Sequence, residues 1–181
     1  MNSRVARIDS IVAVVFICAV IFTLSAMPAD DSTRLSTGVI WHIVGFIVPG
    51  YDQMSAADQL YWQEQLQFPV RKAAHFSEYA LLGMLMMNMV HQLARDASWP
   101  RVHAWFAENA PTLPKQVLMA WAFSVLYCLT DEIHQIFVPG RTFKILDIFI
   151  DSAGALTGIA LFLLVMWLIG KAKRQPASPP A

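Results

Sequence analysis

Four stretches of this sequence are long and apolar enough, read as helices, to reach across a lipid bilayer. No other feature limits the possible folds as strongly. A bilayer core is about 30 Å thick and takes roughly 20 mostly apolar helical residues to cross. The runs from about Asp9 to Met27, Ala73 to Leu93, Gln116 to Val138 and Leu146 to Gly170 reach that length, and each ends at punctuation: Pro28, Arg95, Pro139-Gly140 and Lys171. Hydrophobic residues make up 56% of the 181 and mean hydropathy is +0.48, too apolar for an ordinary water-soluble domain. The expected fold class is therefore an all-α membrane protein. It is a bundle of four transmembrane helices forming one domain over residues 1–170, with interfacial segments in the outer 28–70 connection. The tail 171–181 is basic, then Pro-rich and without periodicity, and is expected to be a disordered cytoplasmic tail.

Arg4 and Arg7 before the first run, and small residues from Ser25 to Ala29, also fit a cleaved signal peptide. An anchor is preferred, because the run exceeds the usual signal core and Pro28 falls inside any cleavage site placed after Ala29. With four passes, one side carries Arg4, Arg7, Arg95, Arg101, Lys115, Lys171, Lys173 and Arg174, against Arg34, Arg71, Lys72, Arg141 and Lys144 on the other. The richer side is expected to be cytoplasmic, which places both termini on the cytoplasmic side of the membrane. Thirteen basic residues balance thirteen acidic ones, so no net charge draws the chain to nucleic acid. Cys18 and Cys128 each lie inside an apolar run and read as small buried hydrophobes rather than a disulfide or metal pair.

The outer connection has its own pattern. Gly38 to Val48 is apolar but too short to span, and is expected to lie on the membrane surface or re-enter it before Pro49-Gly50 closes it. Ser55-Ala56-Ala57-Asp58 then starts a helix, the Ser hydroxyl placed to accept an early backbone N–H. Tyr61, Trp62 and Leu66 recur at helical spacing, as in an interfacial helix. The inner loop carries a second short aromatic stripe, Trp99, Val102, Trp105 and Phe106, broken by prolines and read as an anchoring loop.

Ionisable residues gather at the outer ends of the helices. Lys72, His75 and Tyr79 share a face at the start of the second run, with Glu78 beside it. Asp131 stacks one turn from Gln135 at the end of the third run, with Glu132 on an adjoining stripe. Asp147 and Asp151 lie one turn apart in the fourth, on a stripe that continues through Gly154 and Gly158, a small-xxx-small pattern for close helix packing. Carboxylates against lipid tails cost roughly 2.5 to 3.5 kcal/mol each, so these residues must share a wet or paired interior. A buried ion-pair network that only joins helices is the structural alternative.

Two chemistries fit such a site. His75 with Glu78 or Glu132 supplies a general acid and base, while Lys72 and Arg141 clamp a phosphate or diphosphate. Alternatively, Asp131, Glu132, Asp147 and Asp151 with His75 hold a divalent metal, although the spacing is not specific for one. No nucleophile elbow, P-loop, dinucleotide fingerprint or HExxH motif is present.

The run Arg71-Lys72-Ala73-Ala74-His75-Phe76-Ser77-Glu78-Tyr79, then Asp131-Glu132-Ile133-His134-Gln135-Ile136-Phe137-Val138-Pro139-Gly140-Arg141, then Asp147, Asp151 and Gly154, resembles the VanZ-like family of bacterial membrane proteins. The resemblance spans about Val70 to Gly158. The family's K-x-x-H-x-x-x-Y pattern falls on Lys72, His75 and Tyr79, its E-x-x-Q-x-x-x-x-x-R pattern on Glu132, Gln135 and Arg141, and its paired acid or amide on Asp147 and Asp151. Many relatives carry Asn at the last position, so Asp151 adds a charge here. The resemblance implies a cell-envelope protein, from a family named for low-level resistance to the glycopeptide teicoplanin. On this reading its partners are the lipid bilayer and a lipid-linked cell-wall precursor or phospholipid headgroup. A non-enzymatic module that shields precursors or assists envelope assembly through Tyr51 to Phe68 is the alternative. Proton or ion transport is a third, disfavoured by the few polar groups in the inner halves of the first and third helices.

Overall fold

A computed structural model describes residues 3–95 and 112–173. The inner-loop stripe from Trp99 to Phe106 and most of the basic, Pro-rich tail lie outside the described residues. Five α-helices follow in order: α1 (Ser3–Ser25), α2 (Ala29–Ile47), α3 (Ala56–Arg95), α4 (Leu113–Gln135) and α5 (Ile145–Ala172), with a 3-10 turn at Tyr51–Gln53 between α2 and α3. Among the described residues there is no strand.

Three of these helices, Arg4–Ser25, Leu113–Gln135 and Ile145–Ala172, are long and apolar enough to cross a membrane. Their outward faces are apolar: Val12, Val15 and Phe16 on α1, Leu118 and Leu126 on α4, Leu161, Leu164 and Trp167 on α5 are all exposed. In water such a surface would be a large sticky patch, whereas lipid covers it without cost. The expected second span, Ala73 to Leu93, does not meet the same standard, because His75, Ser77, Glu78 and Asn88 dilute the apolar half of α3.

That half of α3 is instead the centre of the assembly, packed against α1, α4 and α5. Its buried residues, Tyr79, Leu82, Gly83, Met86, Met87 and Val90, recur at helical spacing. With Val14, Ile17 and Ile21 of α1, Ala120 and Cys128 of α4 and Ile159 of α5 they form the main core. Contact with α5 is closest. A Cβ at Gly83 would lie 2.7 Å from the Ala155 Cα, one at Gly154 would meet the carbonyl of Phe76, and one at Gly158 would lie 2.7 Å from the Ala80 carbonyl carbon. Only glycine lets the two backbones approach this far.

The sequence suggests an interfacial helix that stops before a spanning helix begins near Ala73. The structure joins them into one 40-residue helix, about 60 Å long, twice the hydrocarbon thickness. Pro69 lies inside it and removes one ladder bond. Pro69 and Gln65, whose carbonyl loses its donor, are both exposed, so the freed group faces outward. At the start of α3, the Asp58 N–H donates to Ser55 Oγ at 3.2 Å, the expected cap.

Helix α2 is also longer than the apolar run from Gly38 suggests. It starts directly after Pro28, with Asp30 and Asp31 in its first turn, where they favour the helix dipole. Thr33, Ser36 and Thr37 return their hydroxyls to carbonyls one turn back, which hides their polarity. The chain then reverses at Gly50, whose φ of 76° favours glycine. Ile40, Val44 and Tyr51 form a second small core that joins α2 to Trp62, Leu66 and Val70 of the first half of α3. The 28–70 connection is thus a helical hairpin of α2 and the first half of α3.

Candidate functional site

The polar cluster assembles where four pieces meet: the end of α1, the middle of α3, the end of α4 with its loop 136–144, and the start of α5. Two side chains of α3 face two of α5. Lys72 Nζ forms an ion pair with Asp147 Oδ1, and His75 Nδ1 lies 3.8 Å from Asp151 Oδ1. The one-turn spacing on each helix aligns both pairs, and Asp147 and Asp151 are buried. Cys128, in the main core, also points its thiol at Asp151, Sγ to Oδ2 3.5 Å. Cys18 and Cys128 are both free thiols.

Asp131 makes a different set of contacts. Its Oδ2 accepts from Ser25 Oγ at 2.9 Å and from Gln135 Nε2 at 3.1 Å, so the end of α1 is joined to the end of α4. Glu132, fully buried, accepts the backbone N–H of Lys144 at 2.8 Å and so satisfies an orphan donor where α5 begins. Tyr79 is also fully buried, its ring 6.4 Å from that of Tyr127. His75 Nδ1, Tyr79 OH, Asp131 Oδ1, Glu132 Oε1 and Asp151 Oδ1 are buried without a hydrogen-bond partner among the described residues. Buried polar atoms in native folds are nearly always paired, so this concentration sets the cluster apart from an ordinary core.

Arg141 binds backbone. Its Nε donates to the Met27 carbonyl at 3.0 Å and its Nη2 to the Leu24 carbonyl at 3.3 Å, capping the C-terminal end of α1. The Ala29 N–H donates to the Pro139 carbonyl at 3.1 Å beside it. Gly140 has a φ of 74°, and a Cβ there would press on Ala29 at 2.9 Å. The loop 136–144 is therefore clamped onto the elbow between α1 and α2. Arg71, one of whose Nη atoms donates to Ser32 Oγ at 3.2 Å, secures α2 to α3. Burial, and after it the like charge of Arg71, lower the Arg141 pKa from its ordinary value.

Two cavities open at this junction. One of about 280 Å³ is lined by Arg71, Lys72, Arg141 and Lys144 with His75, Glu64, Gln67, Gln135 and Asp147. The other, about 440 Å³, lies between the end of α1, α2 and α3 and is mostly apolar, with Glu78, His75, Arg71 and Arg141 at its polar end. The candidate residues thus divide into groups. Lys72, His75, Gln135, Arg141 and Asp147 reach the smaller cavity, and Glu78 turns to the larger one. Tyr79, Asp131, Glu132 and Asp151 line neither cavity, and Gly154 and Gly158 lie in the α3–α5 contact. Among the described residues no group of three or more His, Cys, Asp and Glu side chains is placed to hold a metal ion.

Sequence reasoning missed Ser25, Ser32, Glu64 and Gln67. Ser25 sits in a run of small residues that resembles a cleavage site. Glu64, Gln67 and Arg71 fall on one stripe only if the helix continues through Pro69, and a proline argues against that continuation. His134 stacks on Phe22, ring centroids 4.3 Å apart, and stays outside both cavities.

No curated protein and no solved structure matches this chain. The family model described as VanZ/LLP1 matches residues 10–167, a stretch that includes most or all of each described helix and all of the polar cluster. This is well over half of the sequence, and the chain belongs to the VanZ/LLP1 family.

Proposed function

We propose that this VanZ-like membrane protein binds, and with His75 and Glu78 modifies, a phosphate-bearing headgroup at the outer face of the bacterial cytoplasmic membrane. The observation that carries this reading is the smaller cavity, where Arg71, Lys72, Arg141 and Lys144 meet only two carboxylates, Glu64 and Asp147, around His75. Guanidinium groups bind phosphate through paired, charge-assisted hydrogen bonds, which strengthen where water is scarce. His75 and Glu78 line the larger cavity together and are the acid and base pair of this proposal. Glu132 lies behind them with its carboxylate on the Lys144 N–H, which favours a positioning role over proton transfer.

Four passes, with α3 as the second and both termini cytoplasmic, belong to the same proposal. The helix with the least apolar sequence is the one most shielded from lipid by the other three, so its polar residues do not argue against a crossing. The basic residues near both ends of the chain favour that orientation. The test is the lipid and wall-precursor profile of cells carrying His75→Ala or Glu132→Gln at normal protein levels. A changed profile is expected, and profiles identical to wild type overturn the proposal. Teicoplanin susceptibility of strains with and without the protein tests the link implied by the family.

A second reading is favoured by the hairpin of α2 and outer α3, where Trp41, Phe46, Ile47 and Tyr61 are exposed, Phe46 at 91%. In this reading the hairpin contacts envelope precursors without chemistry. Replacing Trp41 and Phe46 by Ser then abolishes the phenotype, while Glu132→Gln leaves it intact.

A further inference from the structure

The two cavities share a wall but differ in character. Arg71, His75 and Arg141 line both. Away from that wall, the smaller cavity is charged. The larger one continues between apolar side chains: Leu24 and Met27 of the α1 elbow, Val70 of α3, and Leu35, Val39 and Ile43 of α2. The last three recur every four residues and form one stripe. Leu35 and Val39 are 56% and 51% exposed although they line a cavity, so this wall is open to the surroundings. An apolar trough of this kind is unfavourable in water and ordinary where hydrocarbon fills it. Its volume, about 440 Å³, lies in the range of small-ligand pockets.

We propose that the ligand is a membrane lipid, with its phosphate between Arg71 and Arg141 beside His75 and the first part of its hydrocarbon chain in the trough between α2 and α3. This deepens the headgroup reading above and rests on it. Charge complementarity sets the direction of binding. Glu78 is the one carboxylate on the described lining of the trough, against two arginines and His75. Each guanidinium is already oriented by backbone or hydroxyl bonds, Arg141 to Leu24 and Met27, Arg71 to Ser32, and still carries further N–H donors. A free phosphate would use the charged cavity alone. A lipid uses both, which explains why a polar pocket and an apolar trough share three residues.

The test uses the full chain in detergent, titrated with phosphatidic acid in mixed micelles and, separately, with inorganic pyrophosphate. Wild type is expected to bind both, the lipid more tightly. Val39→Trp and Ile43→Trp fill the trough from partly exposed positions where folding tolerates bulk. They should weaken lipid binding at least tenfold and leave pyrophosphate binding unchanged, whereas Arg71→Gln should weaken both. If neither tryptophan variant changes lipid affinity while pyrophosphate still binds, the chain does not occupy the trough: this inference fails and the headgroup reading stands. If wild type binds neither probe, the headgroup reading fails and takes this inference with it.

Discussion

The carboxylate of Glu132, near the end of α4, accepts the backbone N–H of Lys144, the residue that caps α5, at a distance of 2.8 Å. A side chain of one helix thereby satisfies the start of the next, and the loop between them is held in a single shape. Glu132→Ala should remove this cap at a cost of about 1 to 2 kcal/mol, while Glu132→Gln, which keeps an acceptor oxygen, should lose less. Thermal unfolding in detergent checks the order, and equal losses would contradict the capping role.

The ion pair of Lys72 and Asp147 is largely removed from solvent, with side chains 15% and 7% exposed. Asp147→Leu alone strands the ammonium and should cost about 3 to 5 kcal/mol. Lys72→Met with Asp147→Leu should recover much of that loss. A double-mutant cycle measures the coupling, and additive single losses would show that the pair is not coupled.

The α3–α5 contact leaves no room for a methyl group. Gly158→Ala should force the helices apart or bend them, at about 1 to 3 kcal/mol, as overpacked cores do. Gly170→Ala, where a Cβ meets nothing within 4 Å, is the control and should be neutral. Unfolding by denaturing detergent compares the two.

Arg141→Lys keeps the charge but cannot reach two carbonyls with a fixed fork of donors. Amide exchange at Ser25 to Ala29 should speed up in this variant, because the end of α1 loses its cap and the Ala29–Pro139 bond depends on the same loop. Unchanged exchange there would mean that Arg141 does not hold the elbow.

Much of this arrangement is legible from spacing alone. The apolar runs locate α1, α4 and α5, and the one-turn spacing of Asp147 and Asp151 puts both on the face toward α3. Ser55 marks the start of α3. The misreadings have local causes. Pro69 reads as a break because a proline lacks the N–H of a helix interior, but its exposure on α3 makes the loss tolerable. The first turns of α2 precede the apolar run from Gly38, and nothing in the sequence says that Thr33, Ser36 and Thr37 bond their own helix. Arg141 reads as a ligand clamp, and the structure gives it a further task, because two of its donors serve the end of α1. That partner set depends on a contact 114 and 117 residues away, which periodicity does not reach.

The central position of α3 also bears on how the protein is made. On the four-pass reading, the segment least able to enter lipid by its own hydropathy emerges from the ribosome before α4 and α5, two of the three helices that shelter it. Its Lys72 ammonium and His75 imidazole have their partners only once Asp147 and Asp151 have been synthesised. On that reading α3 stays in a provisional state until α5 is made, and a later helix completes the insertion of an earlier one.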